Sequence, residues 1–294
     1  MNDNRPETQR ATSPSAYVIN AEDPAEIARV LYQHRLVTDN MGGPFPGEID
    51  NSTLQRVLEI GCGPGGWVVD VAFHHQKAEV VGIDISPGMI AYAESYAKGQ
   101  GVDNTRFMVH DARQTLPFED NSFDYVQCRF LIGSFNVDEW KRLVQECQRV
   151  LRPHGHICLT ETDNIAGINN SDALKRMQEL SVAVSRRARR AFFAEGSELG
   201  INPGLGRLLR QFGFLRVHQK AYVIDWSADA EAHESWSQNM ILFANLGRGF
   251  LTKSGLISEE DYEQLYSQAV ADMMSDDFQS ITYLASTIAE KAEA

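Results

Sequence analysis

The stretch Val57-Leu58-Glu59-Ile60-Gly61-Cys62-Gly63-Pro64-Gly65-Gly66 decides the fold of this chain. It begins as an apolar strand pattern with one acid and runs directly into a glycine-rich turn. Glycine has no Cβ, so the backbone at Gly61 and Gly63 can turn tightly and approach a ligand. The segment 67–73 that follows is apolar and as long as a helix. The stretch therefore predicts a buried parallel strand, a nucleotide-cofactor loop and a helix, in that order.

Two classes of cofactor are compatible with this loop. Gly61, Gly63 and Gly66 have the G-x-G-x-x-G spacing of dinucleotide-binding folds. The next strand pattern ends at Asp84, where the ribose diol of either NAD or S-adenosylmethionine would lie. Glu59 favours S-adenosylmethionine, because a carboxylate beside the loop disfavours a pyrophosphate and favours an ammonium and a sulfonium, which are cations.

Five motifs follow one another along the chain in an order that is far more specific than any glycine count. They occupy residues 58–65, 82–89, 111–112, 122–126 and 149–156. In this order they resemble class I S-adenosylmethionine-dependent methyltransferases, and most closely the small-molecule branch that includes the ubiquinone and menaquinone methyltransferases. The resemblance covers roughly residues 55 to 162, about the length of a mononucleotide-binding core. It departs from the family at His154, where a second glycine is more common, which leaves the geometry of that turn open.

The elements expected across this core alternate between strand and helix. Strand patterns lie at 55–60, 79–84, 105–109, 123–129 and 155–161, and helical patterns lie at 66–73, 87–99 and 138–150. Such alternation predicts an α/β fold with right-handed crossovers. Together with the resemblance, it implies a doubly wound, mostly parallel seven-stranded Rossmann-like sheet with a final antiparallel strand and helical lid additions. Ligands of such sheets bind at the carboxyl ends of the strands.

The chain is expected to divide into an N-terminal tail with a helical cover, residues 1–50, and a methyltransferase domain, residues 51–294. Residues 1–15 are expected to be disordered. Asp23 and Pro24 supply an N-cap and a first-turn proline, so a helix is predicted over about 23–40. In similar enzymes such a helix folds over the cofactor, while the alternative is a helix that only packs on the sheet edge.

Beyond the motifs, helical insertions are expected at about 166–200, with a helix at 171–195, and at about 229–276. A last crossover helix is predicted at 203–214 and a strand at 215–226. The segment 281–291 is ambiguous between helix and strand, and its β-branched and aromatic residues favour the closing antiparallel strand.

The resemblance implies a set of residues that bind the cofactor. Glu59 would hold the methionine ammonium, directly or through water, or would only stabilise the loop. Asp84 would accept both ribose hydroxyls, or would cap the following helix. The full expected set is Glu59, Gly61, Cys62, Gly63, Gly65, Asp84, Ile85, Met89, Asp111, Ala112 and Arg129.

The remaining members of this set have expected roles around the adenine and the methionine. The backbone of the loop glycines would meet the methionine and ribose portions. Ile85 and Met89 would enclose the adenine, although Met89 is equally compatible with the core. Asp111 would accept the adenine amine, or would be a turn acid, and the Ala112 amide would face the ring. The backbone of Arg129 would lie beside the methionine moiety.

Composition and charge bear on the partners of the protein. The chain has 294 residues, 43% of them hydrophobic, and a formal net charge of −13. A nucleic-acid enzyme needs a coherent positive surface, and the one basic run, 186–190, reads as a solvated or lid-facing helix surface or as a site for an anionic substrate or RNA. We therefore expect a small-molecule acceptor and no nucleic-acid partner, and a homodimer is compatible with the sequence. No membrane span or signal peptide is expected, so the predicted location is the cytoplasm.

Cysteine and histidine spacing argues against a metal site. The four cysteines, Cys62, Cys128, Cys147 and Cys158, contain no C-x-x-C pair and are expected to be reduced and mostly buried. His74 and His75 are adjacent and would point to different sides of a helix.

The expected activity is transfer of a methyl group from S-adenosylmethionine to O, N or C of a small organic acceptor, with S-adenosylhomocysteine as product. In-line positioning alone can supply roughly 7 to 11 kcal/mol, so no catalytic base is assigned. The segments 23–40 and 229–276 are predicted to enclose the acceptor pocket. Possible pocket residues are Tyr17, His34, Arg35, Asp163, His233 and Trp236.

Two alternatives to methyl transfer stay open at the level of sequence. One is a protein of the same fold that binds S-adenosylmethionine without transferring its methyl group. The other is a nicotinamide-dependent oxidoreductase, which only the G-x-G-x-x-G spacing supports.

Overall fold

The architecture comes from a computed structural model of the chain, which describes residues 19–46, 49–196 and 198–293. Tyr17 and the tail predicted for residues 1–15 lie outside the described residues.

A single mixed sheet forms the centre of the molecule. Its strands are β1 (Arg56–Ile60), β2 (Glu79–Asp84), β3 (Thr105–Val109), β4 (Phe123–Arg129), β5 (Leu151–Glu161), β6 (Ile168–Asn169), β7 (Phe214–Asp225) and β8 (Ser280–Lys291). The strands run in the order β3-β2-β1-β4-β5-β8, with β7 and the short β6 both paired to β8. The first five strands pair in parallel, as the alternation predicted.

β8 is the antiparallel strand of the sheet, and it lies between β5 and β7. The prediction of a closing antiparallel strand over 281–291 is therefore confirmed. The predicted count of seven strands is one short among the described residues, because Ile168 and Asn169 also pair with the start of β8. Two residues are too few to leave a recognisable period in the sequence.

Eight helices connect and cover the strands in the described part of the chain. They are α1 (Pro24–Met41), α2 (Gly66–His74), α3 (Pro87–Gln100), α4 (Val137–Val150), α5 (Asp172–Arg187), α6 (Ile201–Gln211), α7 (His233–Thr252) and α8 (Glu259–Met273). The Asp23 carboxylate accepts from the Ala25 amide at the start of α1, as predicted. Asn136 and Glu139 form a capping box at the start of α4.

Two boundaries in the first predicted insertion differ from the sequence prediction. α5 ends at Arg187, although the helical pattern predicted a helix to residue 195. The chain then turns through Arg189, whose φ of 59° is left-handed, and Phe192 and Phe193 both donate their amides to the Leu199 carbonyl. α6 begins at Ile201, two residues before the predicted start, because the Asp163 carboxylate accepts from the amide of Ile201 at 2.6 Å.

The sequence analysis left open the backbone geometry at His154, where the family more often has a glycine. His154 has a φ of 64°, the left-handed region that favours glycine. Its Nδ1 lies 2.9 Å from Glu290 Oε1 of β8. The backbone thus keeps the conformation that a glycine would adopt, and the side chain gains a contact to the neighbouring strand.

The apolar core falls into separate clusters on the two faces of the sheet. One cluster joins α4 and α6 to the central strands, with Trp140, Leu143 and Leu205 fully buried. Another joins α1, α5, α7 and α8 to β7 and β8 through residues such as Val37 and Trp226. Within the described residues, no helix combines the length and apolar character needed to cross a bilayer.

Candidate functional site

A concave pocket lies at the carboxyl ends of β1, β2 and β4, beneath α1. This is the position at which parallel α/β sheets bind ligands. Ten of the eleven predicted cofactor-binding residues line it, and the exception is Gly65. The ten are Glu59, Gly61, Cys62, Gly63, Asp84, Ile85, Met89, Asp111, Ala112 and Arg129.

The glycine loop joins β1 to α2 as the sequence predicted. The amides of Gly61 and Cys62 both donate to the Ile83 carbonyl of β2, at 2.8 and 3.0 Å, which fixes the loop over the neighbouring strand. Gly65 has a φ of 83° and forms the N-cap of α2. A Cβ at Gly65 would lie 2.8 Å from Ala93 Cβ, so this glycine faces the packing between α2 and α3 instead of the pocket.

Asp84 organises the pocket floor with backbone hydrogen bonds. Its Oδ2 accepts from the Gly63 amide at 3.0 Å, and its Oδ1 accepts from the Ser86 amide at 2.9 Å. The N-cap of α3 is Ser86, whose Oγ accepts from the Met89 amide, so Asp84 does not cap that helix. Burial raises the pKa of Asp84, while the amide hydrogen bonds oppose the rise.

Glu59 is the most unusual charged group in the pocket. It is only 3% exposed, and its Oε1 lies 3.4 Å from Arg129 Nη2. Its Oε2 is buried and has no hydrogen-bond partner among the described residues. Burial raises the pKa of Glu59 to about 8, although the Arg129 guanidinium lowers it. A buried carboxylate with a free oxygen is suited to a cationic ligand, because leaving that oxygen unsatisfied has a cost in free energy.

The Arg129 side chain links Glu59 to the covering helix. Its Nη2 donates to His34 Nδ1 at 2.9 Å, and its Nη1 donates to Thr38 Oγ1 at 3.3 Å. His34 Nε2 in turn lies 2.8 Å from Asp70 Oδ2 on α2. His34 was predicted as a possible pocket residue, and it lines the pocket. Asp70 was not predicted, because nothing in the sequence pairs it with a residue 36 positions earlier.

Asp111 lies in the pocket wall in a bidentate ion pair with Arg113. Arg113 Nε and Nη2 each donate to one carboxylate oxygen of Asp111, both at 2.9 Å. The Arg113 hydrogen bonds hold the pKa of Asp111 below its ordinary value, against the opposing effect of burial. The predicted acceptance of an adenine amine by Asp111 would therefore compete with this ion pair.

Ile85, Met89 and Ala112 line the part of the pocket near Asp84 and Asp111. Met89 is 3% exposed, so the two alternatives for it are compatible: it is part of the core and it also faces the cavity.

Sequence reasoning missed one complete wall of the pocket, the loop after β4. Phe130, Leu131, Ser134 and Phe135 line the cavity from this loop. The Glu161 carboxylate holds the loop, since it accepts from the Leu131 amide at 2.6 Å and from the Ile132 amide at 3.3 Å. The apolar run was visible in the sequence, but its position over the cavity depends on a partner from a different strand.

His110, Val30 and Gln33 also line the cavity and were not named in the sequence analysis, although the helix that carries Val30 and Gln33 was predicted to cover the pocket. His110 Nε2 is buried with no hydrogen-bond partner among the described residues. Val30 and Gln33 reach the cavity from α1. The prediction that α1 covers the site, and does not merely pack on the sheet edge, agrees with these contacts.

The predicted role of residues 229–276 as a second wall of this pocket is wrong. No residue of that segment is among the lining residues. α7 packs instead behind α1, where Asn239 Oδ1 accepts from Arg29 Nη1 at 3.0 Å. Trp236 is buried in the cluster beneath α7, and His233 Nδ1 lies 3.1 Å from the Trp226 carbonyl. Both side chains therefore serve packing.

Two further predicted pocket residues and the basic run also lie elsewhere. Asp163 caps α6 through the amides of Ile201 and Asn202. Arg35 is exposed on α1. Within the run 186–190, Arg186 donates to backbone carbonyls of the α5–α6 loop and Arg189 pairs with Asp138.

All four cysteines are buried as free thiols. The described ranges hold no cluster of metal-ligating side chains.

Comparison with known proteins places this pocket in a family context. Residues 57–155 match the family described as "Methyltransferase domain". This segment is therefore similar to methyltransferase domains. The chain is 37% identical over 106 residues to an uncharacterized methyltransferase, YcgJ, of Bacillus subtilis, a match that covers 36% of this chain and 40% of the relative. It is 35% identical over 109 residues to a demethylmenaquinone methyltransferase of Geobacillus kaustophilus, with 37% and 45% covered. The matches thus span less than half the length of these relatives.

Solved structures extend the likeness of the fold beyond the methyltransferase domain. A Haemonchus contortus phosphoethanolamine N-methyltransferase 2 in complex with phosphomonomethylethanolamine and S-adenosylhomocysteine aligns with a TM-score of 0.53, 19% identity, 93% of this chain and 59% of that chain. A putative methyltransferase from Bacillus halodurans aligns with a TM-score of 0.50, 18% identity, 81% of this chain and 93% of that one. The chain therefore shares the Rossmann-like fold of these structures.

Proposed function

We propose that the protein binds S-adenosylmethionine and transfers its methyl group to an oxygen, nitrogen or carbon of a small organic acceptor, with S-adenosylhomocysteine as product. The observation that carries the proposal is the buried Oε2 of Glu59, which has no hydrogen-bond partner among the described residues and lies beside the glycine loop of a segment similar to methyltransferase domains. A buried carboxylate of this kind favours a cationic ligand over a pyrophosphate. It therefore argues for S-adenosylmethionine over a nicotinamide dinucleotide.

The residues of the pocket fit this cofactor. Glu59 would accept from the methionine ammonium, and Asp84 would accept from the ribose hydroxyls with the lone pairs that its two amide partners leave free. Ile85 and Met89 offer an apolar surface for the adenine ring. When bound, S-adenosylmethionine supplies an electrophilic methyl group on a positively charged sulfur.

The remaining pocket residues favour transfer by orienting the reactants and excluding water. Phe130, Leu131 and Phe135 form an apolar wall, and α1 covers the cavity from the other side. Such a wall holds a small acceptor against the donor in a near-attack geometry, which contributes roughly 7 to 11 kcal/mol in favourable cases. His34 is not assigned as a base, since both of its ring nitrogens already have partners.

Isothermal titration tests the proposal. S-adenosylmethionine and S-adenosylhomocysteine are expected to bind, and NADH is not. Asp84→Ala should weaken binding of S-adenosylmethionine by about 1.5–3 kcal/mol, the range for hydrogen bonds to a charged group. Asp103→Ala, at an exposed acid outside the pocket, is the matched control and should bind like the unchanged protein.

Formation of S-adenosylhomocysteine on a panel of phenols, amines and enolisable carbon acids then tests transfer itself. Binding without turnover on such a panel would favour the alternative of a non-methylating protein of this fold. Binding of NADH in place of S-adenosylmethionine would overturn the proposal.

We also propose the division of the chain that the sequence analysis predicted. Residues 1–50 would act as tail and cover, and 51–294 as the methyltransferase domain with helical insertions at about 166–200 and 229–276. A homodimer, a cytoplasmic location and the lack of a nucleic-acid partner are part of the same proposal. β7 pairs only with β8 among the described strands and is therefore an edge strand, which supports the homodimer. Light scattering of the purified protein measures the oligomeric state directly.

A further inference from the structure

His34 occupies the junction between the covering helix and the body of the molecule. Its side chain is buried between Asp70 of α2 and Arg129 of β4, with ring nitrogens at 2.8 and 2.9 Å from their partners. The ring also packs tightly on the glycine loop, since a Cβ on Gly66 would lie 2.5 Å from it. His34 is therefore a point at which α1 is tied to both α2 and the sheet.

The partners of His34 decide its protonation state. A guanidinium can only donate hydrogen bonds, so the His34 Nδ1 that faces Arg129 must be an acceptor. Nε2 then carries the proton and donates it to the Asp70 carboxylate. The docked arrangement of α1 thus requires a neutral imidazole.

The charged groups around His34 act in opposite directions. Burial and the positive charges of Arg129 and Arg35 lower the pKa of His34, whereas Asp70 raises it, and the net pKa is below the ordinary histidine value. Glu59 lies behind Arg129, but burial raises the pKa of Glu59 to about 8, so Glu59 does little to balance the Arg129 charge at the lower pH at which His34 titrates. A proton on Nδ1 would place one N–H donor against another at 2.9 Å.

We propose that His34, with Asp70 and Arg129, forms a pH-sensitive latch that holds α1 closed over the pocket when His34 is neutral and releases α1 when His34 is protonated. The latch would regulate access to the pocket through Val30 and Gln33, which line it from the same helix. It concerns the movement of α1 and does not depend on which ligand the pocket takes.

The direction of the pH dependence follows from the shift at His34. The docked state has the lowered pKa, and an undocked α1 would leave the histidine near about 6.5. Docking is therefore fully favoured above about pH 6.5 and weakens as the pH falls below it. One proton per opening event gives a population of the open state that rises by up to about tenfold per pH unit.

Hydrogen exchange of the full chain without added ligand tests the latch. Protection factors are measured for the amides of α1 and of α3 at several pH values from 5 to 8, each corrected for the intrinsic exchange rate. The protection of α1 should fall by up to about tenfold per pH unit below 6.5, while that of α3 does not fall over the same range. A constant protection of α1 across this range would overturn the proposal.

Two variants separate the latch from a general loss of stability. His34→Gln keeps one acceptor and one donor at a similar separation but does not titrate, so the protection of its α1 should no longer depend on pH. His74→Gln, at an exposed histidine of the same helix as Asp70, is the matched control and should retain the dependence. If His34→Gln keeps the full pH dependence of the unchanged protein, another group drives the opening and the latch is rejected.

Discussion

Glu59 combines nearly complete burial with a carboxylate oxygen that has no hydrogen-bond partner among the described residues. Its strand neighbours in the sheet are Gly82 and Gln127, neither of which neutralises a charge. The Arg129 contact at 3.4 Å is too long to offset burial fully. The group is therefore held in an environment that a cationic ligand would relieve.

The affinity for S-adenosylmethionine should depend on pH through Glu59. The pKa of this carboxyl is raised from 4.5 to about 8, so its ionised fraction falls as the pH drops below about 8. A cation binds the ionised form, so the affinity should rise with pH by up to about tenfold per unit below 8 and flatten above it. Titration calorimetry from pH 6.5 to 9 measures this profile. Glu59→Gln should bind weakly with a flatter profile, and an unchanged profile in that variant would assign the effect to another group.

The glycine at the start of α2 should tolerate substitution less well than another left-handed glycine. Gly65→Ala would strain a φ of 83° and bring the new Cβ to 2.8 Å from Ala93, so we expect a loss of about 2–4 kcal/mol in unfolding free energy. Gly101→Ala shares the left-handed φ but has open space around it, and it should lose only about 1–2 kcal/mol. Urea denaturation compares the two. Equal losses would show that packing against α3 contributes little.

At the scale of elements, α1 is held between the pocket and α7. Arg29 of α1 forms a bidentate ion pair with the fully buried Glu26, at 2.7 Å for each bond. The same guanidinium donates to Gln33, which lines the pocket, and to Asn239 of α7. Residues 229–276, the second predicted insertion, therefore support the covering helix α1 on the side away from the pocket.

Replacing Arg29 should weaken the whole protein because Glu26 would lose the bidentate ion pair with Arg29 in a buried environment. We expect Arg29→Met to lower the unfolding free energy by about 3–5 kcal/mol, the range for breaking a buried ion pair. Arg35→Met, at an exposed arginine of the same helix, should stay within about 0.5 kcal/mol of the unchanged protein. Chemical denaturation measures both, and a loss below 1 kcal/mol for Arg29→Met would mean that the pair is not a stabilising feature of the docked helix.

At the scale of the molecule, the sequence predicted the parallel core well because its signals are local. An apolar strand, a glycine loop and a terminal acid recur within a few residues, as at Glu59 and Asp84, and the expected boundaries of β1 to β4 hold to within about one residue. The pocket wall after β4 could not be predicted in the same way. Its position depends on Glu161, which is 30 residues away from Leu131.

The covering segments were harder to place from sequence for the same physical reason. The sequence of an amphipathic helix indicates that one face is apolar, but it does not indicate which surface of the protein that face packs against. For 229–276 the partner proved to be α1 with β7 and β8, and the pocket lies on the far side of α1. The contact between His34 of α1 and Asp70 of α2 could likewise not be predicted, because no sequence pattern links these two helices.

The contribution of Glu59 and Glu161 to the stability of the protein should fall as the pH rises towards 8. The pKa values of Glu59 and Glu161 are both raised from 4.5 to about 8, mainly by burial. The native state thus binds more protons than the unfolded state between about pH 4.5 and 8. The stabilisation that the two protonated carboxyl groups give the native state is therefore lost as the pH rises through this range. Glu161→Gln should reduce the slope by at most about 1.4 kcal/mol per pH unit. Denaturation series at pH 5 to 8 measure the slope.

Glu231→Gln, at an exposed glutamate, serves as the control for this series and should keep the slope of the unchanged protein. If Glu161→Gln keeps it as well, the carboxyl is not the source of the dependence.

The placement of β8 between β5 and β7 has a consequence for synthesis on the ribosome. β5 and β7 both leave the exit tunnel before β8 is translated. Each therefore has an unpaired edge until residues 280–291 emerge and insert between them. Exposed edges of this kind recruit other chains. Nascent chains that end just before residue 280 should therefore need protection by chaperones. A slower rate of translation initiation keeps such chains apart on the messenger RNA, so it should raise the yield of folded protein.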